Sequence, residues 1–160
     1  MIDRLLADLR ANANPANVAG MARYGINTVG TLGVPVTILR RMAKEAGRDH
    51  MLAEQLWNSG IHEARIVATL VDDPALVTAR QMDRWAGDFD SWDVCDHACH
   101  NLFRYSPLAF AKVDSWAVAR GEFVKRAGFF ADSGSRGESE RRDGRTVRRI
   151  PAADRRRGER

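Results

Sequence analysis

The sequence predicts an all-α protein, and two observations support this fold class. Apolar residues recur with helical spacing in successive short stretches along the first 130 residues. The stretch that leans most towards β structure is "TVGTLGVPV" (28–36), and its glycines favour a loop. Because short helices joined by tight turns pack as antiparallel neighbours, we expect stacked helix pairs that form an α-solenoid.

The boundaries of the predicted helices follow from capping signals. Gly47 and Gly60 each end a stretch of helical periodicity. Asp73 and Pro74 are predicted to form an N-cap and a first-turn proline. Together with similar signals elsewhere, they place helices near 3–13, 15–24, 35–46, 49–58, 61–71, 74–86, 91–104, 107–119 and 122–130. This series predicts a solenoid of HEAT-like antiparallel helix pairs with a disordered C-terminal tail.

The net charge of +4 lies wholly in the C-terminal tail. Residues 131–160 contain ten Arg against six Asp and Glu, whereas residues 1–130 contain equal numbers of basic and acidic residues. The tail has no aromatic residue, so it cannot bury enough apolar surface to offset the entropy lost on ordering. We therefore expect a helical domain over 1–131 and a disordered Arg-rich segment over 132–160. This segment is either a solvated tail or a nonspecific phosphate-binding arm.

The sequence also bears on the compartment of the protein. No apolar run reaches the roughly 18 residues that a membrane span needs. Charges in "MIDRLLADLR" interrupt the apolar stretch that a signal peptide requires. Cys95 and Cys99 lie four residues apart, which favours two reduced thiols over a disulfide. A cytoplasmic protein without a membrane partner is expected.

The stretch "SWDVCDHACH" (91–100) gathers the side chains that metal sites and active sites use. On a helical wheel, Cys95 and Cys99 lie in an apolar stripe with Trp92, whereas His97 lies on the opposite, wet face. A zinc site needs at least three ligands that converge on one point. The cysteines are therefore predicted to be small buried residues, and neither a metal nor a cofactor is expected.

Two aspartates of this predicted helix have different explanations. With Asp90 as the N-cap, Asp93 occupies the third helical position, where a carboxylate binds free backbone amides. Asp96 lies one turn beyond Trp92 at the edge of the apolar stripe, where a carboxylate needs a cation, donors or a function. The residues alone leave both a structural salt bridge and catalysis open for Asp96, and Arg126 of "FVKRAGF" is a candidate partner.

Two other charged groups have structural and functional alternatives. Arg40, Arg41 and Lys44 face outward together on the third predicted helix, as a solvated face or as a strip that contacts phosphates. The stretch "IHEAR" lacks the second histidine of a zincin motif. Its Glu63 and Arg65 are predicted to lie at the helix surface or in pairs between helices.

Four segments point to a known family. They are "MARYGINTVGTLGVPVTILRRMAKE", "LAEQLWNSGIHEARIVATLV", "MDRWAGDFDSWDVCDHAC" and "FVKRAGF". Together, over roughly residues 14–130, they resemble the DNA alkylation repair enzymes, the HEAT-like-repeat alkylpurine DNA glycosylases. The most specific feature is the tryptophan-to-aspartate step of four residues in "SWDVCD", followed thirty residues later by the arginine of "KRAGF".

The resemblance implies a fold, an activity and a set of site residues. It implies a helical solenoid whose concave face grips duplex DNA that carries alkylated bases. The implied reaction is hydrolysis of the N-glycosidic bond of cationic N3- or N7-alkylated purines. Asp96 resembles the catalytic carboxylate, Trp92 the neighbouring aromatic residue, and Arg126 the cation that positions a phosphate or the carboxylate. The expected DNA-binding residues are Tyr24, Arg40, Lys44 and Lys125.

The resemblance also carries a departure and an alternative. The family continues for several more helices and supplies a second tryptophan from them, whereas the pattern in this sequence stops near Phe130. A domain that is incomplete at its C-terminal end, with impaired activity, is therefore expected. The alternative is a noncatalytic helical-repeat module that binds DNA or protein, in which Asp96 and Arg126 form a structural pair. A monomer is expected in either case.

Overall fold

The computed structural model describes residues 1–128, in which every regular element is helical. The elements are α1 (Ile2–Ala11), α2 (Pro15–Arg23), α3 (Val36–Ala46), α4 (His50–Asn58), α5 (His62–Val71), α6 (Ala79–Gly87), α7 (Trp92–Asn101), a 3₁₀ turn (Phe103–Tyr105), α8 (Ala109–Ala117) and α9 (122–128). The predicted all-α fold is confirmed. The predicted domain boundary at 131 and the predicted tail (132–160) lie outside the described residues.

Helix α5 is the centre of the fold. Eight of its ten residues are buried, and α3, α4 and α7 all pack against it. The backbone N–H of Asp49, just before α4, donates to the carbonyl of Val71, the last residue of α5, at 2.8 Å. Because the beginning of one helix thus meets the end of the next, α4 and α5 form an antiparallel pair. None of the helices in residues 1–128 is long and apolar enough to cross a membrane.

An aromatic cluster fills the core between α4 and α6. The rings of Trp57 and Trp85 stack in parallel with their centroids 4.0 Å apart, and both side chains are fully buried. The indole N–H of Trp57 donates to Asp88 at 2.9 Å, which satisfies a polar group that would otherwise be costly to bury. Large stacked rings of this kind supply much of the apolar burial that holds short helices together.

The predicted start of α6 is wrong. The Asp73 carboxylate accepts a hydrogen bond from the amide of Ala75 at 2.9 Å and stabilises a turn instead of a helix. The side chain of Thr78 caps α6, since its oxygen accepts from the amide of Gln81 at 3.1 Å. The Asp-Pro pair and the threonine are both legitimate capping signals, and the later one begins the helix.

The predicted end of α7 is also too late. The helix ends at Asn101, because Leu102 has φ −129° and ψ −65°, outside the helical region. A 3₁₀ turn follows, and it places the buried ring of Phe103 at 5.6 Å from the ring of Trp116 in α8. The end of α7 therefore coincides with burial of the Phe103 ring beside α8.

Candidate active site

A cleft of about 820 Å³ opens between α2, α3, α5 and α7. Apolar residues such as Met21, Val34 and Ile66 line part of its surface. The polar part is supplied mainly by α7, through Trp92, Asp93, Asp96, His97, His100 and Asn101. The face of α7 that was predicted to be wet therefore forms a wall of the cleft and packs partly against α5.

Asp96 and Arg126 form a bidentate ion pair at this wall. Nε of Arg126 donates to Oδ1 of Asp96 at 2.6 Å, and Nη2 donates to Oδ2 at 2.7 Å. The side chain of Asp96 is 21% exposed, so the pair is partly shielded from water. The hydrogen bond to Asp96 raises the pKa of the Arg126 guanidinium. The predicted partnership between these two residues is confirmed, and it fixes the orientation of both groups.

Trp92 lies at the rim of the cleft and not within the apolar core. Its side chain is 37% exposed, and its indole N–H donates to the backbone carbonyl of Tyr24 at 2.9 Å. Tyr24 follows α2 directly, and its side chain is exposed. The helical wheel placed Trp92 in the apolar stripe because an indole is mostly apolar. The hydrogen bond instead brings two aromatic residues together beside the cleft.

Asp93 binds a backbone amide as predicted, since its Oδ1 accepts from the N–H of Val94 at 2.9 Å, and it has a second role that was not predicted. Its Oδ2 lies 2.7 Å from Nε2 of His62 in α5, and the latter side chain is almost completely buried. Burial lowers the pKa of His62, but the hydrogen bond and the negative charge of Asp93 outweigh it, and the net pKa is raised. The N-cap of α7 is Ser91, whereas Asp90 accepts a hydrogen bond from Asn27 at 3.0 Å. With the cap one residue later, Asp93 joins α7 to α5.

His97 is held by a polar network that also links α7 to α5. Nδ1 of His97 lies 3.2 Å from the amide nitrogen of Asn101, and the same nitrogen donates to the hydroxyl of Thr69 at 3.0 Å. Burial lowers the pKa of His97, and the nearby charge of Arg40 lowers it further. Helical spacing alone could not predict this network, because Thr69 lies on α5, about thirty residues before its partner Asn101 on α7.

Glu63 is a buried carboxylate that shapes the loop before α3. The prediction that it lies at the helix surface or in an interhelix pair is wrong, since the residue is only 1% exposed. Its carboxylate accepts from the amide of Leu32 at 2.9 Å and from the amide of Gly33 at 2.6 Å. At Gly33, φ is +77° and an added Cβ would lie 2.2 Å from the carbonyl oxygen of Asn14. Glycine and the buried carboxylate together hold this loop against the cleft.

Arg65 forms a contact between helices, as predicted. It donates to the backbone carbonyl of Asp88 at 3.1 Å, and its guanidinium carbon lies 5.3 Å from the centre of the Trp57 ring. It therefore joins α5 to the end of α6, as a pair between helices requires.

The predicted DNA-binding cations do not all lie at the cleft. Arg40 on α3 is exposed and contributes to the lining of the cleft. Lys44 lies one turn further along α3 and Lys125 on α9, and both are exposed but outside the lining. Arg41 lies 3.9 Å from Glu45 on its own helix, in an exposed pair. The geometry thus distinguishes Arg40 from the other three cations.

The cysteines are buried, as predicted. Cys95 is inaccessible and Cys99 is 4% exposed. Sγ of Cys95 lies 3.4 Å from the carbonyl of Phe123, which joins α7 to α9 close to the Asp96–Arg126 pair. The hydrogen bond with Cys95 and burial raise the pKa of Cys99. Across residues 1–128, no three potential ligands converge on a point where they could hold a metal ion.

Comparison with known families identifies the ancestry of this chain. The model of the family described as "DNA alkylation repair enzyme" matches residues 5–134. The chain belongs to this family. The predicted membership is therefore confirmed, and no curated protein matches this DNA alkylation repair family member.

A solved structure supports the fold of this family member. It is described as "a new family of proteins related to the HEAT-like repeat DNA glycosylases with affinity for branched DNA structures". The TM-score is 0.74 at 20% sequence identity, and the similarity covers 82% of this chain and 55% of that one. The HEAT-like helical fold is thereby confirmed. The chain spans about half the length of that neighbour.

Proposed function

We propose that this protein hydrolyses the N-glycosidic bond of cationic N3- or N7-alkylated purines in duplex DNA. The observation that carries the proposal is the Asp96–Arg126 pair in the wall of the cleft, with Trp92 one helical turn away. Membership of the DNA alkylation repair enzyme family supports a role in DNA repair.

A partly desolvated carboxylate suits this reaction. A cationic purine is already a good leaving group, so departure of the base needs little acid catalysis. Positive charge then develops on the sugar in an oxocarbenium-like transition state. The Asp96 carboxylate stabilises this charge and orients the attacking water, and it does so more strongly in a partly water-excluded cleft than in bulk solvent.

The two aromatic residues would hold the lesion. An exposed ring attracts a cation over its face, and the attraction is strongest for an indole. Trp92 is half-exposed at the rim and is fixed by its hydrogen bond to the backbone of Tyr24. Tyr24 is also exposed and also lines the cleft. A positively charged purine or the sugar can therefore pack against a surface that is already in place.

Arg126 positions the reactive carboxylate. Its bidentate hydrogen bonds hold the Asp96 carboxylate in a fixed orientation, so little reorganisation is needed when the substrate enters. A lysine would supply charge without this fixed fork. Arg40, Lys44 and Lys125 are proposed to contact the DNA backbone, with Arg40 nearest to the cleft.

A second candidate function is binding to DNA without cleavage. Both carboxylate oxygens of Asp96 are already occupied by Arg126, as a structural pair would require. The solved neighbour is described by its affinity for branched DNA, and the chain spans 55% of that neighbour's length. A noncatalytic member of the family would bind DNA with equal affinity whether or not the duplex carries alkylated bases.

The test is release of alkylated bases from methylated duplex DNA. We expect wild type to release N3- or N7-methylpurine and Asp96→Asn to be slower by on the order of 100-fold. Asp114→Asn is the matched control, because Asp114 is an exposed carboxylate on α8 outside the cleft. If neither wild type nor Asp96→Asn releases a base, and if the affinity for DNA is the same with and without alkylated bases, the glycosylase proposal is rejected and the second candidate is favoured.

A further inference from the structure

A chain of hydrogen bonds fixes the position of the proton on His97. The hydroxyl of Thr69 donates to the carbonyl of Ile66 at 2.7 Å, so its oxygen acts as an acceptor towards other groups. The amide nitrogen of Asn101 donates one hydrogen to that oxygen at 3.0 Å. Its second hydrogen is directed at Nδ1 of His97, 3.2 Å away. Because Nδ1 accepts, the proton of the neutral imidazole lies on Nε2.

The surroundings of His97 keep this ring neutral. Burial lowers its pKa, and the charges of Arg40 and His62 lower the pKa further, against the opposing effect of Asp93 and Asp96. Since His97 contributes to the lining of the cleft, its Nε2–H is a hydrogen-bond donor beside the space that a ligand would fill. Within residues 1–128, this N–H has no hydrogen-bond acceptor.

Arg40 reaches the same cleft from a different helix. It lies on α3, whereas His97 lies on α7, and both helices pack against α5. In the described part of the chain, Arg40 forms no ion pair, in contrast to Arg41, which lies 3.9 Å from Glu45. A cation and a neutral donor that share one cleft match the single negative charge and the acceptor oxygens of a phosphodiester.

We propose that Arg40 and His97 form a binding subsite for a backbone phosphodiester of DNA. Nε2–H of His97 donates to a nonbridging oxygen, and the guanidinium of Arg40 neutralises the charge. Asn101 and Thr69 are positioning residues that hold the ring in the donating tautomer. The inference rests on the proposed function only for its choice of DNA as the ligand, and it does not require cleavage of a glycosidic bond.

The first test is binding of a short unmodified DNA duplex at several salt concentrations. We expect His97→Leu to weaken binding on the order of tenfold. His97→Gln should stay near wild type, because the glutamine amide can replace the Nε2–H donor. Arg40→Ala should weaken binding and reduce the slope of log K against log salt by about one, whereas His97→Leu should leave the slope unchanged, since a neutral donor releases no counterion.

Arg41→Ala is the matched control for Arg40→Ala, because Arg41 is the next residue and lies outside the cleft lining. A second test uses unsubstituted protein, so that it does not depend on how a variant folds. The ¹⁵N chemical shifts of His97 should identify a neutral ring protonated at Nε2, and addition of the duplex should shift the Nε2 resonance. Asn101→Asp should move the proton to Nδ1, because a carboxylate can only accept.

Each outcome decides the proposal. It is overturned if wild type binds no duplex, if His97→Leu binds like wild type, if Leu and Gln weaken binding equally, or if the ring is protonated at Nδ1. It is supported if binding requires the His97 donor and if the salt slope falls in Arg40→Ala but not in His97→Leu or Arg41→Ala. If these results hold but no alkylated base is released, the phosphodiester subsite stands and the glycosylase proposal alone fails.

Discussion

The indole N–H of Trp92 donates to the backbone carbonyl of Tyr24 at 2.9 Å, and this bond joins the first residue of α7 to the residue that follows α2. This hydrogen bond joins residues that are 68 positions apart in the sequence, and it holds the two exposed aromatic residues at one side of the cleft. An aromatic surface that is fixed before binding loses less entropy when a ligand docks. The role of this hydrogen bond can be tested separately from that of the Trp92 ring.

Trp92→Phe keeps an aromatic face but removes the donor. We expect base release to fall about fivefold, which corresponds to the loss of one neutral hydrogen bond. Trp92→Ala should fall further, because the ring is then lost as well. Tyr24→Phe is the control for the hydrogen bond, since it leaves the backbone carbonyl that accepts from Trp92 in place. Equal rates for wild type and Trp92→Phe would show that the hydrogen bond has no role in activity.

Glu63→Gln should destabilise the fold. The carboxylate accepts from the amides of Leu32 and Gly33 in a buried site, and glutamine offers one oxygen in place of two. We expect the free energy of unfolding to fall by about 2 kcal/mol, measured by urea denaturation. Glu45→Gln, at an exposed site on α3, should change it little. A Glu63→Gln protein as stable as wild type would contradict the anchoring role.

Gly33→Ala tests the close approach of two backbone segments. The new Cβ would meet the carbonyl oxygen of Asn14 at 2.2 Å, in addition to the cost of φ +77°. Gly25 has a similar φ of +73° but open space around it, so Gly25→Ala isolates the conformational cost, about 1 kcal/mol. Urea denaturation should show a loss of about 3 kcal/mol or more for Gly33→Ala. Similar losses for the two variants would rule out the clash.

The His62–Asp93 pair should make stability depend on pH. The pKa of His62 is raised in the folded protein, so the imidazole binds a proton more tightly in the folded state than in the unfolded chain. This contribution to the free energy of unfolding is fully present below about pH 6.5, the unfolded pKa, and is lost as the pH rises through the folded pKa. Urea denaturation of wild type and Asp93→Asn across this range should show a stability gap that narrows with rising pH. A constant gap would contradict the linkage.

Arg126→Lys tests whether the two hydrogen bonds of the guanidinium to Asp96 are needed, beyond the positive charge. A lysine can keep the positive charge near Asp96 but cannot make the two parallel hydrogen bonds observed at 2.6 and 2.7 Å. We expect base release to fall on the order of tenfold in Arg126→Lys and further in Arg126→Ala. Arg80→Lys, at an exposed site on α6 outside the cleft lining, is the control. Full activity in Arg126→Lys would mean that charge alone suffices.

The sequence could predict what periodicity and local capping determine. The all-α fold, the buried cysteines and the partnership of Asp96 with Arg126 follow from helical spacing, from the polarity of one helix edge and from the family resemblance. It could not predict the partners of Glu63, His62 and Asp93. A helical wheel shows which way a side chain points but not which loop or helix lies opposite. Almost every residue has a backbone N–H, so the sequence does not show which loop amides bind a carboxylate. The start of α6 was missed because two capping signals stand close together.

Helix α5 contributes to both the interior and the cleft. Its apolar residues form the middle of the core, while His62, Glu63 and Thr69 orient the loop and the α7 side chains at the cleft. A substitution on this helix therefore changes folding and ligand recognition together, and selection would purge it on either ground. We expect changes in ligand specificity to proceed through α2 and α3, because their cleft-lining residues, such as Ala16, Val36 and Arg40, are exposed and can vary without disturbing the interior.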